Sequence, residues 1–169
     1  PEKHCYKLLI SYKGAEDMLL LECGHFIKGL DPVADAFAGT VYSDIINMEN
    51  FNKAFFLIYK GVGATGTSTI TMEASDDVSG SNVTAIPFRY RRISTTDVQG
   101  ALTLAAAAGF TTTAGSSEMY VIEVDVAELG DTGYGYLRMK AVEVANDPVL
   151  GGIAIIAHEK RFAEITTAV

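Results

Sequence analysis

The sequence lacks tryptophan, has only four prolines and two cysteines, and contains no long apolar run. A membrane-spanning helix needs about 20 consecutive apolar residues, and no stretch of this chain approaches that length. Basic residues are also scarce: 13 lysines and arginines against 21 aspartates and glutamates leave a net charge of −8. That charge argues against binding to nucleic acid or to anionic membranes, because both attract basic surfaces. The first residues lack the apolar core of a signal peptide, so we expect an intracellular product.

Hydrophobic residues, by contrast, make up 49% of the chain, and there are sixteen glycines. At 169 residues the chain is long enough for one domain with a sizeable core. Alternating or continuously apolar runs, which are typical of strands, occur at residues 54–59, 67–73, 83–90, 119–126, 134–144 and 151–158. In the fourth run, Tyr120, Ile122 and Val124 share one side and should face the core. Pro87 suits an edge strand or a bulge, and residues 54–59 suit a strand buried on both faces.

Two segments favour helix instead. Residues 97–108 are rich in alanine and begin with Asp97, a good N-cap, and they are followed by Gly109, a typical stop. Residues 31–38 begin with Asp-Pro, which predicts one or two helical turns. We therefore predict a mainly β fold: an antiparallel β-sandwich or flattened barrel with one short helix near residues 97–108.

Residues 61–66, Gly-Val-Gly-Ala-Thr-Gly, match the dinucleotide-binding pattern GxGxxG. That pattern binds pyrophosphate only when a helix follows the glycines, because the helix N-terminus supplies free amides. Here the next residues, 67–73, are β-branched and favour a strand. A phosphate-binding loop is disfavoured for the same reason, and its lysine is also absent. We interpret residues 61–66 as a hairpin loop whose glycines supply positive φ angles, and we predict no cofactor.

The N-terminal stretch has two apolar runs around Gly14, which predicts a hairpin. That pairing places Cys5 opposite Cys23, within reach of a disulfide. His4, Cys5, Cys23 and His25 also offer two sulfur and two nitrogen ligands of the kind that zinc accepts. However, the usual CxxC spacing is absent, and adjacent residues on a strand point to opposite faces. Two free thiols are the preferred interpretation, and the disulfide and the zinc site are the alternatives.

The domain division follows from this N-terminal pattern. We assign residues 1–40 to an N-terminal hairpin or arm with its linker, and residues 41–169 to the β-sandwich domain. We expect removal of residues 1–30 to weaken assembly more than it weakens folding, because the apolar hairpin has no evident place in the sandwich.

No group of residues forms a catalytic pattern, and we predict that the chain is not an enzyme. Asp76 and Asp77 lack the further alternate carboxylates of a calcium loop, and they indicate a solvated turn. His158 lies at the end of an apolar strand, where a surface role is more common than general base catalysis. We predict no metal site.

One segment, residues 88–92, mixes basic and aromatic side chains as nucleic-acid-binding proteins do. In an acidic chain, three clustered arginines better suit either a docking patch for an acidic partner or a set of internal salt bridges. Two tyrosines near residue 135 hint at the aromatic surface of a ligand-binding sandwich. The candidate partner-docking residues are therefore Arg89, Arg91, Arg92, Tyr134 and Tyr136.

Three stretches, residues 41–90, 114–129 and 134–162, follow one order of features. The order begins with an asparagine-aromatic step at Asn50-Phe51, followed by an apolar strand, a glycine loop and a threonine-rich strand. The turn 77–80 and an aromatic-basic strand come next. The run 120–125 and a closing strand that ends in Arg161-Phe162 complete the order. In this order the chain resembles a set of small virion structural proteins of tailed bacteriophages. Residues 1–40 take no part in the resemblance.

The resemblance implies a capsid decoration (cement) protein, which binds the outside of an expanded shell of major capsid protein and clamps adjacent subunits. It also implies a homo-oligomer, with a trimer favoured, that is made in the host cytoplasm and sits on the outer surface of the virion. Neither nucleic acid nor membrane is an expected partner. The alternatives are a tail-tube, neck or head-fibre component of the virion, and a ligand-binding β-sandwich module.

Overall fold

The computed structural model describes residues 20–62, 66–115, 117–130 and 132–160. The strands in these ranges form two antiparallel sheets that enclose one hydrophobic core. The predicted mainly β fold is confirmed, and the architecture is a sandwich, not a closed barrel.

The first sheet, here called sheet A, contains the longest strands. Its order is β1 (His25–Val33), β12 (Gly151–Lys160), β4 (Phe51–Lys60), β10 (Met119–Asp125), β7 (Phe88–Ile93) and β8 (Thr103–Ala105). Strand β4 is central, and its Phe56 lies between Ile155 of β12 and Ile122 of β10. Because both edges of β4 are occupied, the chain that follows it cannot pair with it.

The second sheet, sheet B, has the order β2 (Thr40–Tyr42), β11 (Tyr136–Ala145), β5 (Thr67–Ser75) and β6 (Val83–Ile86). Two short strands complete it: β3 (Ile46–Asn47) pairs with β11, and β9 (Phe110–Thr111) pairs with β5. The described residues also form two single-turn helices, α1 (Leu20–Cys23) and α2 (Val126–Gly130).

The core lies between the sheets and follows the period-two pattern of the strands. Tyr120, Ile122 and Val124 are at most 1% exposed, as the sequence predicts. They pack with fully buried side chains from sheet B, including Ile70 and Met72. Each large apolar side chain removed from water contributes about 1.5–3 kcal/mol, so this alternation is the main source of the fold's stability.

The loop at residues 61–66 is not a hairpin, which corrects the sequence interpretation. It connects β4 of sheet A to β5 of sheet B, and it therefore crosses between the sheets. Its outer glycines do not have positive φ angles. Gly66 instead permits a close approach, since a Cβ there would lie 2.2 Å from the carbonyl oxygen of Asp147. The segment that follows is a strand, in agreement with the rejection of a nucleotide-binding motif.

The helix predicted at residues 97–108 is also wrong. Residues 103–105 form β8, and Thr95 makes an isolated bridge to Val98. Asp97 has a φ of 66°, whereas an N-cap residue is usually in the β region. Gly100 donates its amide to the carbonyl of Arg92, 2.9 Å away, and so holds the segment against β7. Sheet pairing therefore overrides the helical propensity of the alanines.

The helical turns predicted at residues 31–38 are replaced by the end of β1, which runs to Val33, and by a turn at residues 34–37. Pro32 fits β1 because an edge strand leaves one side of its backbone unpaired. In the turn, Ala36 donates its amide to the carbonyl of Val149 at 3.0 Å, and Asp35 accepts the amide of Val149 at 3.3 Å. Here tertiary hydrogen bonds, not a helix, satisfy the backbone.

The single strand predicted at residues 83–90 is two strands separated by Pro87. Strand β6 belongs to sheet B and β7 to sheet A, so the chain changes sheets at this proline. Ile86 and Phe88 on either side are both 1% exposed. A residue without a backbone N–H suits a point where strand pairing ends.

Most of the predicted N-terminal hairpin lies outside the described residues, which begin at Leu20. His4 and Cys5 are therefore not described, and neither is the side chain of Cys23, so the disulfide, zinc and free-thiol alternatives remain predictions. Within the segment 1–40 that was assigned to an arm and linker, residues 25–33 form β1 of sheet A.

Candidate interaction surfaces

Of the three candidate arginines on β7, Arg89 and Arg91 lie on one side of the strand and Arg92 lies on the other, and a docking role for them stays a prediction. Arg89 pairs with Glu128 at 3.6 Å, and Arg91 donates to the carbonyl of Gly100 at 2.9 Å. Arg92 lies on the opposite side of the strand and pairs with Glu118. Each arginine thus has an intramolecular partner. Arg89 and Arg92 form internal salt bridges, which the sequence left open as the alternative to a docking patch, and Arg91 bonds to a carbonyl.

Arg92 belongs to a buried polar cluster at one end of the sandwich. Glu118 accepts hydrogen bonds from Arg92 and from the hydroxyl of Tyr120, the latter at 2.9 Å. The Tyr120 hydroxyl in turn accepts the amide of Thr113 at 2.8 Å. Lys60, only 2% exposed, donates to the carbonyls of Gly66 and Thr113 at 3.2 and 3.0 Å. These contacts tie the loop after β4 and the segment before β10 to one point.

The protonation of this cluster is set by burial. Desolvation lowers the pKa of Lys60, with Glu118 opposing the shift and Arg92 adding to it. Burial also raises the pKa of Tyr120, so its hydroxyl stays protonated and able to donate to Glu118. Glu118 thus accepts from Arg92 and from Tyr120, while the Lys60 ammonium donates to backbone carbonyls and interacts with Glu118 through charge alone. Nε of Arg92 is buried without a hydrogen-bond partner among the described residues, whereas the other contacts of the cluster hold the loops in place.

Beside this cluster is a cavity of about 270 Å³ between β7, β9 and the segment 100–103. Tyr90 and Phe110 stack in parallel along its wall, with ring centroids 3.9 Å apart. Arg92 and the side chains of Thr103, Thr111 and Thr113 also line it. The wall offers aromatic and hydroxyl groups, which are the groups that a small polar ligand would use.

The two candidate tyrosines belong to sheet B and its approach, away from the arginines. Tyr134 packs against the hydrophobic core, and Tyr136 pairs with Ser75 and Asn47 at the start of β11. The five candidate residues are therefore not brought together into one site.

The outer face of sheet B is polar and internally paired. Glu73, 6% exposed, accepts from Nε and Nη2 of Arg138, each at 2.8 Å, and it lies 3.5 Å from Nζ of Lys140. The Arg138 guanidinium also stacks 4.2 Å above the ring of Tyr42. Charge-assisted hydrogen bonds to one carboxylate oxygen, together with stacking, fix side-chain positions. The exposed apolar side chains on this face include Tyr42 and Val142.

The outer face of sheet A is different because it is mainly apolar. Its outward positions alternate with buried core positions on strands β1, β12, β4 and β10. We call the apolar outward residues the sheet A face: Phe26, Ala154, Ile156, Phe55, Leu57, Tyr59, Met119 and Val121. Lys28, Lys53 and Glu123 also point outward on these strands. Tyr59 is 61% exposed and Phe26 49% exposed.

A groove of about 650 Å³ crosses the sheet A face. Leu57, Met119, Gly152 and Ala154 line it, and Tyr59 stands at its side. Gly152 allows β1 to lie close by, because a Cβ there would lie only 3.0 Å from the carbonyl oxygen of Leu30. The groove combines a small-residue surface with an exposed aromatic ring.

The sequence analysis missed the sheet A face. Residues 54–59 predict a strand buried on both sides, but only Ala54, Phe56 and Ile58 face the core, whereas Phe55, Leu57 and Tyr59 face outward. The sequence signal that could have revealed the outward apolar face was the continuous apolar run at residues 54–59. In an antiparallel sheet, such a run indicates either a second covering layer or an exposed contact face.

The edges of both sheets are protected against strand addition. Edge strands β8, β2 and β6 contain only three, three and four residues. Strand β1 is longer, but its register shifts after Lys28 and again after Leu30, and it contains Pro32. Short, irregular or proline-containing edges disfavour pairing with another chain. Contacts with partners are therefore expected through faces and loops.

The remaining candidate groups serve local structure. The Asp77 carboxylate accepts from the amide and hydroxyl of Ser79 and from the amide of Gly80, and these hydrogen bonds, led by the Ser79 hydroxyl, lower its pKa. His158 lies within β12, and its ring meets Phe55 edge-on at 6.3 Å. In the described ranges, no group of three or more His, Cys, Asp or Glu residues is placed to hold a metal. None of the helices in those ranges has the length and hydropathy needed to cross a bilayer.

Comparison with known proteins finds one distant structural likeness and no matching family. No model of a known protein family matches the chain, and no curated protein matches it. Among solved structures, the SPBc2 prophage-derived protein YomS is similar, with a TM-score of 0.47 and 15% identity over 80% of this chain and 93% of that one. A likeness at this level carries no argument about function.

Proposed function

We propose that this chain is a virion structural protein of a tailed bacteriophage, and most specifically a decoration protein that stabilises the shell of major capsid protein. The observation that carries the proposal is the sheet A face. A soluble monomer rarely leaves so much contiguous apolar surface open, so a sandwich with this face acts through contact with other protein surfaces. The sequence resemblance across residues 41–162 supports the virion as the setting.

The physical logic of a decoration protein suits the molecule. Such a protein stabilises by binding the assembled shell and not its separated parts, so its contribution follows from surface buried across subunit boundaries. Many weak, repeated contacts over a shell add up through multivalency. On this proposal the partner is the major capsid protein, the location is the outer surface of the capsid, and the net charge of −8 keeps the protein from adhering to nucleic acid.

The test is to mix the purified full chain with expanded, undecorated capsids and to pellet them. Gel densitometry then gives the number of copies per major capsid subunit. We expect saturation near one copy per subunit, together with a higher melting temperature of the particles. A handful of copies per particle would instead assign the chain to the tail, the neck or a head fibre.

A second candidate function is ligand binding, and the cavity beside Tyr90 and Phe110 is the observation that favours it. The parallel aromatic pair and the threonine hydroxyls suit a small polar ligand such as a sugar. Absence of capsid binding, together with saturable shifts of NMR resonances from residues 100–113 on addition of monosaccharides, would favour this function over the virion role.

A further inference from the structure

The cavity beside Tyr90 and Phe110 lies at the edge of the sandwich, between β7 of sheet A and β9 of sheet B. We propose that it binds a sugar acid, which is a monosaccharide that carries a carboxylate. This inference rests on the second candidate function, since it names the ligand class of the same cavity. It does not depend on the decoration role.

Arg92 supplies the charge of the cavity wall. The other described residues that line the cavity are uncharged, so no carboxylate is among them. The Arg92 side chain is 40% exposed although its Nη2 pairs with Glu118, and its Nε has no hydrogen-bond partner among the described residues. A guanidinium has five N–H donors in a fork that fits a carboxylate. Glu118 therefore leaves part of this donor set for an anionic ligand.

The charged groups behind the wall do not cancel the charge of Arg92. Glu118 is 6% exposed in its side chain and does not line the cavity, and the Lys60 ammonium interacts electrostatically with it. Two cations and one carboxylate leave a net positive charge at this point of an acidic chain. A local charge of that sign attracts anions and repels metal cations.

The aromatic part of the wall suits a ring. Tyr90 and Phe110 stack in parallel with centroids 3.9 Å apart, and Phe110 also lies 5.3 Å from the ring of Tyr120. Hydrogen bonds to Glu118 and from the amide of Thr113 hold the Tyr120 hydroxyl. Rings fixed in this way present a flat apolar surface. The C–H face of a pyranose ring can stack on such a surface.

The hydroxyls of the wall favour a sugar acid over an aromatic acid. Thr103, Thr111 and Thr113 line the cavity, and each threonine hydroxyl can both donate and accept. The hydroxyls of a sugar can bond to them, whereas the ring of an aromatic acid offers no such group. The volume of about 270 Å³ is just below the range of about 300–1,000 Å³ for drug-sized ligands, which suits a single monosaccharide.

The segment 100–103 is held against β7 by backbone contacts. Gly100 donates its amide to the carbonyl of Arg92 at 2.9 Å, and its own carbonyl accepts from Nη1 of Arg91 at 2.9 Å. A Cβ at Gly100 would lie 2.5 Å from the Arg92 carbonyl oxygen, so this approach requires glycine. The wall is therefore formed before a ligand arrives, which lowers the entropic cost of binding.

The experiment is an NMR titration of the isotope-labelled full chain with methyl glucuronide and with methyl glucoside. The two probes differ only at C6, which is a carboxylate in the first and a hydroxymethyl group in the second. We expect the glucuronide, with about 14 heavy atoms, to bind with a millimolar dissociation constant and to shift the amides of residues 100–113. The glucoside should bind about ten-fold more weakly, because it lacks the charge-assisted bond to Arg92.

Arg92→Gln should remove the preference for the glucuronide. Arg89→Gln is the matched control on the opposite side of β7 and should keep it. Because Arg92 also pairs with Glu118, far-UV circular dichroism checks the fold of this variant. If it is unfolded, Ala101→Glu replaces it, since Ala101 is exposed and lines the cavity. The new carboxylate should repel the glucuronide, whereas Ala101→Gln should leave the preference intact.

Equal binding of the two glycosides would overturn the sugar-acid inference and leave the second candidate function standing. No shift of residues 100–113 with either probe would overturn both. A folded Arg92→Gln or Ala101→Glu variant that keeps the preference would also overturn the inference. Capsid decoration is judged separately, by the pelleting experiment.

Two further probes define the ligand class. Benzoate has a ring and a carboxylate but no hydroxyl, and binding as tight as that of the glucuronide would overturn the choice of a sugar. Free glucuronate identifies the source of the ligand. Tighter binding of the methyl glycoside would support a sugar at the end of a glycan chain, and tighter binding of the free acid would support a free monosaccharide.

Discussion

At the scale of single residues, the most informative group is the cluster of Lys60, Arg92, Glu118 and Tyr120. The Glu118 carboxylate, 6% exposed, pairs with Arg92 and interacts electrostatically with Lys60. The sequence contains no hint of this arrangement, because Lys60 and Glu118 are far apart along the chain and each ends or precedes an apolar strand. Only the pairing of β10 with β4 brings them together.

The first prediction concerns Glu118→Gln. Removing its charge leaves Lys60 and Arg92 near each other without a counter-ion, so we expect the free energy of unfolding to fall by about 2 kcal/mol. That figure is below the 3–5 kcal/mol typical of a broken buried pair because the Arg92 side chain is 40% exposed. Urea denaturation at neutral pH measures it.

The control for this prediction is Glu123→Gln, the same change at the exposed ion pair with Lys53. It should cost less than about 0.5 kcal/mol, as is typical of surface pairs. Equal losses in the two variants would mean that the buried cluster contributes no more to stability than an exposed pair.

At the scale of elements, a glycine and a proline stand at two of the connections between the sheets. Gly66 directly precedes β5 of sheet B, and its backbone packs closely against residues 147–149. Pro87 marks the other sheet change described above. The chain also passes between the sheets at other connections, such as β3 to β4 and β11 to β12.

The second prediction is that Gly66→Ala destabilises the fold by about 2–3 kcal/mol, in the range of overpacking changes. The new Cβ would lie 2.2 Å from the Asp147 carbonyl oxygen and 2.5 Å from a methyl of Val149, so backbone must move. Gly135→Ala is the matched control, because a Cβ there meets nothing within 4 Å. Thermal unfolding of both variants compares them, and a Gly66→Ala midpoint equal to that of the control would contradict the proposed close packing.

At the scale of the whole molecule, the boundary of the sandwich lies earlier than residue 41. Strand β1 begins at His25 and pairs with β12 from His25–Ala157 to Val33–Gly151. A deletion of residues 1–30, which the sequence suggests as a test of assembly, would therefore remove most of β1 as well.

The third prediction separates the two parts of that deletion. Removal of residues 1–19 should leave the free energy of unfolding within about 0.5 kcal/mol of the full chain, since the twelve strands of the described residues begin at or after His25. Removal of residues 1–30 should cost at least about 2 kcal/mol, because it uncovers one edge of β12 and the side chains that β1 buries. Urea denaturation of both truncated chains measures the difference. Comparable stability of the two would show that β1 is not an integral strand of sheet A.

The sequence by itself determined the class of fold and the direction of many side chains. The alternation at Tyr120, Ile122 and Val124 is a local property of a strand with one buried face, and it needs no knowledge of the partner strand. It also excluded a nucleotide-binding loop, because residues 67–73 favour a strand over a helix.

Only the tertiary structure decided which strands pair, and with it the features that bear on function. The alanines of residues 97–108 favour a helix locally, but the bond from Gly100 to Arg92 draws them to the edge of sheet A. The arginines of β7 are close together in the sequence, but only the structure shows that Arg89 and Arg92 pair with different carboxylates. The apolar run at 54–59 has the same composition whether one or both of its faces are buried. Whether Leu57 and Tyr59 face outward depends on what packs over sheet A, and that is decided by contacts between residues far apart in the chain.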